Sequence, residues 1–90
     1  MTNNSTEALH ILQEECAEVI QAISKINRFG IDNSKPGVEK SNRQHLEEEI
    51  GDLLAMVEIL AQDLVIDTTE LEKAKMAKFE KLKKWSNIKL

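Results

Sequence analysis

From Leu9 to Ile26 the apolar residues advance by three, four, three, four and three: Leu9, Leu12, Cys16, Val19, Ile23, Ile26. An α-helix, at about 3.6 residues per turn, lines such positions along one side, whereas a strand alternates every second residue. The pattern predicts a first helix capped by Ser5 or Thr6, with Glu7 in its first turn, ending near Asn27 or Arg28 ahead of Gly30. Residues 1–5 are polar and expected to fray. A second stripe, Leu46, Ile50, Leu53, Val57, Leu60 and Leu64, follows the capping-box sequence Ser41-Asn42-Arg43-Gln44. A third, Leu71, Ala74, Lys78, Leu82 and Trp85, follows an Asp67 cap with Glu70 three residues on. Residues 29–43 concentrate Gly, Pro, Asn, Asp and Ser and read as a loop, long for a connection between helices of a small domain.

Ninety residues make a single domain, 1–90, and its 3% aromatic content leaves the core to Leu, Ile, Val, Ala and Met. The second helix is apolar on most sides, with only Glu58 polar between Leu53 and Leu60. Such a helix lies at the centre of a core or an oligomer. The expected fold is therefore all-α, a helical bundle of three main helices per chain completed by oligomerisation. Gly51 within that helix costs about 1 kcal/mol relative to Ala. Close helix packing, or room beside Asp52, would justify it.

The net charge of −4 argues against a nucleic-acid partner. No apolar run approaches membrane length, and the uncharged polar start Met1-Thr2-Asn3-Asn4-Ser5-Thr6 lacks the character of a signal peptide. A cytoplasmic protein is expected. The charge is uneven: Thr68–Leu90 holds seven Lys against three Glu, the rest five basic residues against thirteen acidic. The single cysteine, Cys16, excludes an intramolecular disulfide and a cysteine zinc cage. Its place on the apolar stripe predicts a small buried hydrophobe.

Two acidic clusters interrupt the helical pattern: Glu14-Glu15-Cys16-Ala17-Glu18 and Glu48-Glu49-Ile50-Gly51-Asp52. Glu15 with Glu18, and Glu49 with Asp52, sit three apart and share a helix face. One such pair is usually a solvated surface. Two pairs on successive helices, each among apolar neighbours, predict a shared carboxylate nest, whereas Glu7, Glu14, Gln21 and Lys25 make the solvent face. Like charges so gathered call for a hard cation. An all-carboxylate set favours Mg²⁺, or Mn²⁺, over zinc. A di-iron bundle needs two Glu-x-x-His pairs, and only Glu7–His10 is present. Carboxylate-bound Mg²⁺ meets substrate phosphates, which points to phosphoryl chemistry on a nucleotide. Arg28, Lys35, Lys40 and Arg43 lie where they could reach an anion, although solvated loop charge is the commoner role. The competing function is a non-enzymatic helical oligomer, an interaction module with solvated acidic patches.

The double motif Glu14-Glu15-Cys16-Ala17-Glu18 and Glu49-Ile50-Gly51-Asp52 resembles the EExxE…ExxD signature of the MazG-like, all-α nucleoside triphosphate pyrophosphohydrolases. The flanking Gln13–Ile20 and Leu46–Leu54, and Ser24–Gly30, are similar to small phage and bacterial members, and the likeness runs over roughly residues 8–85. The resemblance implies Glu15, Glu18, Glu49 and Asp52 as Mg²⁺ ligands. It further implies cleavage of NTPs or dNTPs to the monophosphate and pyrophosphate, and a homodimer or homotetramer. Lys75 and Lys78 fall where the family places phosphate-contacting lysines. Arg28 joins them as a substrate-binding candidate, and Glu14 and Glu48 as candidate catalytic bases. Two features depart from the family: thirty residues separate Glu18 from Glu49, and Phe79 follows Lys78 where some members carry Asn.

Overall fold

A computed structural model describes residues 1–90. The chain is three helices and no strand: α1 (Asn3–Phe29), α2 (Asn42–Gln62) and α3 (Thr68–Trp85). The all-α, three-helix expectation therefore holds. α1 and α2 pack along each other as a hairpin, while α3 has no extended contact with either. The paired helices bury Ala8 and Ala22 of α1 and Leu60 of α2. No helix is long and apolar enough to cross a membrane.

Helix α1 starts earlier than its local sequence predicts. Thr2 is the cap, accepting from the backbone N–H of Ser5 at 3.0 Å, so the segment 1–5 expected to fray is ordered helix from Asn3. The reason lies far along the chain. The Ser5 hydroxyl is fully buried and donates to Asp63 Oδ2 at 2.9 Å; Thr2 Oγ1 donates to the same oxygen at 3.3 Å. Asp63 caps the C-terminus of α2. Its carboxylate thus rests against the positive end of the α1 dipole and closes one end of the hairpin.

The other end is closed by backbone. Gly30, at φ +93°, ends α1 with its N–H donating to Ile26 O at 2.8 Å. The buried Asn42 Nδ2 donates to Gly30 O at 2.8 Å. The Asn42 and Arg43 N–H groups donate to Asn33 O and Ile31 O, each at 2.8 Å. Ser41 opens α2 with the capping box expected of it: its side chain accepts from Gln44 N, and Gln44 Oε1 accepts from Ser41 N. Asp67 likewise caps α3, accepting from the N–H groups of Thr69 and Glu70. Between them Leu64 holds φ +61° in the turn that sets the direction of α3.

The protomer is a plate, 42 × 37 × 14 Å, with a radius of gyration of 15.9 Å. A compact domain of this length has a radius of about 12 Å. Its 7181 Å² of accessible surface likewise exceeds the about 5,300 Å² expected of a compact monomer of 10.2 kDa. The excess is apolar in part: Ile20 and Leu54 on the hairpin and Met76, Phe79 and Trp85 on α3 are exposed. Every residue of α3 except Leu82 is exposed, so most of its amphipathic stripe is left uncovered by its own chain. Cys16, expected to be buried, is exposed as well. Gly51 has open space where a Cβ would stand, so no close packing within the protomer accounts for it.

Candidate metal centre

The antiparallel hairpin sets the middle of α1 beside the first half of α2. One carboxylate oxygen each from Glu15, Glu49 and Asp52 lies within 4.8 Å of the others. Glu15 is half-buried, and its Oε2 is shielded from solvent with no hydrogen-bond partner. A buried carboxylate oxygen without a donor is costly. Burial, followed by the charges of Asp52, Glu49, Glu18 and Glu14 in that order, pushes the Glu15 carboxyl above its ordinary value. The same groups that make ionised Glu15 uncomfortable would be relieved by one cation.

Glu49 is oriented from its own helix. His45, one turn earlier, sets Nε2 3.3 Å from Glu49 Oε1, and both side chains are mostly buried. The spacing of four was visible in sequence, yet only the structure shows the imidazole steering a member of the acidic cluster. Asp52 is exposed. Glu18, the fourth carboxylate of the motif, is exposed and lies outside the triad, though near enough to act on Glu15 through its charge. Residues three apart on a helix differ by about 60° in direction. Glu15 faces α2, and Glu18 turns toward solvent.

Glu14 is exposed and has no ion-pair partner, whereas Glu48 is tied to Lys40 Nζ at 2.6 Å. Lys75 pairs on α3 with Glu72 at 2.8 Å; Lys78 has no carboxylate partner. Neither lysine's helix packs against the hairpin that carries the carboxylates. Arg28 ends α1 with its guanidinium 4.9 Å from the centre of the Phe29 ring.

The triad suits a small hard cation. Two oxygens on opposite sides of one Mg²⁺ are about 4.2 Å apart. Neighbouring oxygens around it are about 3 Å apart, so the three carboxylate oxygens, all within 4.8 Å of one another, would have to draw together around one ion. The unpartnered Oε2 of Glu15 supplies an unsatisfied acceptor for it.

Neither the curated proteins nor the solved structures compared with this chain give a match. The family comparison does: the MazG nucleotide pyrophosphohydrolase domain matches residues 3–86, which takes in both acidic motifs, the loop between them and all but the first two and last four residues. With that extent of match, and an all-helical architecture to go with it, the chain belongs to the MazG nucleotide pyrophosphohydrolase family.

Proposed function

We propose that this protein is a Mg²⁺-dependent nucleoside triphosphate pyrophosphohydrolase, converting NTP or dNTP to the monophosphate and pyrophosphate. The observation that carries the reading is the buried, unpartnered Glu15 Oε2 beside the carboxylates of Glu49 and Asp52. Glu15, Glu49 and Asp52 would hold the ion, and Glu18, exposed beside them, would be the fourth carboxylate of the set. Mg²⁺ (or Mn²⁺) bound there would supply charge neutralisation for the phosphates and activation of a water as nucleophile near neutral pH. His45 keeps one Glu49 oxygen engaged so that the other is presented to the triad. Water attacks the α-phosphorus in line, and pyrophosphate departs from the opposite side. Glu14 is the better candidate for general base, being exposed and free of any ion pair; Glu48 is occupied by Lys40.

The site is read as complete only in an oligomer. The surface excess over a compact monomer, about 1,900 Å², is of the size that permanent interfaces bury. A second copy covering the exposed faces would bring its α3 toward the hairpin, and with it Lys75 and Lys78 for the phosphates. That supports a homodimer or homotetramer as the working state.

The test is pyrophosphate release from a panel of ribo- and deoxyribonucleoside triphosphates with and without Mg²⁺. Metal-dependent release that Glu49→Gln and Asp52→Asn abolish, with helicity unchanged, is expected. Full turnover in either variant refutes the metal assignment. A folded sample silent across the panel favours the interaction module instead.

A further inference from the structure

The loop end of the hairpin carries a second feature, opposite in sign to the first. Five cations surround it: Lys25, Arg28, Lys35, Lys40 and Arg43. Two are neutralised, Lys40 by Glu48 at 2.6 Å and Arg43 by Asp32 at 3.0 Å. Lys25, Arg28 and Lys35 have no carboxylate partner, although the chain carries a net charge of −4 and has acidic residues to spare. All three line cavities. One of about 380 Å³ is bounded by Lys25, Arg28, Phe29, Asn33, Lys35 and Asn42, among others. One of about 210 Å³ adjoins it, sharing Lys25, Lys35 and Asn42 and reaching Lys40 and His45. Together they fall in the size range of small-molecule sites.

Two details make this more than a solvated patch. Lys25, placed on the solvent face by its sequence position, is instead half-buried against the loop. Lys25 has no carboxylate partner there, and an anion in the adjoining cavity would supply the counter-charge. Second, His45 borders the smaller cavity while its Nε2 stands 3.3 Å from Glu49 Oε1. His45 therefore links the cationic basin to the carboxylate triad. Carboxylates repel phosphate oxygens wherever a cation does not intervene, so the remainder of a triphosphate needs positive charge of its own. Within one protomer, the basin is the unpaired positive charge that adjoins the triad.

We propose that Lys25, Lys35 and Arg28 form an oxyanion subsite for the phosphate tail of the nucleotide, the part that leaves as pyrophosphate. This rests on the pyrophosphohydrolase reading above. The two lysines act as point charges at the junction of the cavities, and the Arg28 fork, held over Phe29, takes a phosphate edge. The tail thus binds to the chain that supplies the carboxylates, whatever α3 of another copy adds.

Calorimetric titration with inorganic pyrophosphate in EDTA isolates the subsite from the metal. Wild type and Glu49→Gln should both bind, with affinity falling as NaCl is raised. The double variant Lys25→Gln/Lys35→Gln should bind at least about tenfold more weakly, the scale of a charge-assisted contact in partial solvent. Lys35→Gln alone, at an exposed position that packing does not constrain, should show a graded loss. In turnover the double variant should lower kcat/KM for triphosphate by at least the same factor. No metal-free binding by wild type, or undiminished binding by the double variant, overturns the proposal. Orthophosphate binding as tightly as pyrophosphate overturns the tail assignment. If no nucleotide is hydrolysed yet pyrophosphate binding is lost in the double variant, the hydrolase reading fails and the polyphosphate subsite stands.

Discussion

Replacing Ser5 with alanine removes one fully buried hydroxyl. That hydroxyl lies 2.9 Å from Asp63 Oδ2 and 2.9 Å from Thr2 Oγ1, and it joins residues 58 apart in sequence. A hydrogen bond to a charged acceptor contributes about 1.5–3 kcal/mol. Asp63 is exposed and keeps a longer bond from Thr2 at 3.3 Å, so the lower figure, about 1.5 kcal/mol, applies. Asp63→Ala should cost at least as much, about 1.5–3 kcal/mol, because it removes the charged acceptor of both hydroxyls and a favourable charge from the α1 N-terminus, while Ser5 keeps its contact with Thr2. For a domain of this size Ser5→Ala lowers Tm by about 6–12 °C. The assay is thermal and urea unfolding followed by circular dichroism, at one protein concentration because assembly shifts apparent stability. The double variant should cost clearly less than the two single costs together, since both delete the same bond. Additive costs, or a Ser5→Ala variant within about 0.3 kcal/mol of wild type, would refute the idea that this contact holds the open end of the hairpin.

The remaining predictions concern the site and its surroundings. Adding Mg²⁺ should raise the Tm of wild type, by about 2.7 kcal/mol of stability at a hundredfold excess over Kd, and should not do so in Glu15→Gln. The folded-state pKa of Glu15 is raised above 4.5, so its favourable contribution is full below that pH and is lost as pH rises through the folded value. In EDTA, wild type should therefore lose stability relative to Glu15→Gln as pH is raised from 4.5 toward neutrality; a flat difference across that interval would count against the crowded site. Gly51→Ala should stabilise a lone hairpin by about 1 kcal/mol, since nothing occupies the space beside it. Destabilisation would instead reveal a partner helix seated on that face, and sedimentation of the same variant would show the assembly weakened.

Much of the architecture was legible because it is local. Ser41 and Asp67 cap helices by bonding N–H groups two or three residues away, so three or four letters suffice to see them. The carboxylate nest could be read because i, i+3 spacing on two apolar-flanked helices leaves few ways to pair them. What escaped was settled at long range. Thr2 looks no better a cap than Ser5 until Asp63 arrives from the far end of α2. Lys25 sits on a polar arc by angle alone, and only the return of the loop shelters it. The stripe on α3 shows that the helix has an apolar side, not which chain covers it. Glu18 shares a motif with Glu15 yet not an orientation, because a shared face is wider than a coordination sphere.

The unpacked α3 makes helicity itself a reporter. An 18-residue helix rich in Lys and Glu, with no buried side chain, draws little from tertiary contact, and helices of that length owe most of their stability to a covered face. Its backbone amides should exchange with solvent far faster than those of α1 and α2 whenever the face is bare, and slow to match them when it is occupied. Serial dilution followed by hydrogen exchange would then separate the two populations, with the hairpin amides as an internal standard. The concentration at which α3 loses protection would be the dissociation constant of whatever covers it.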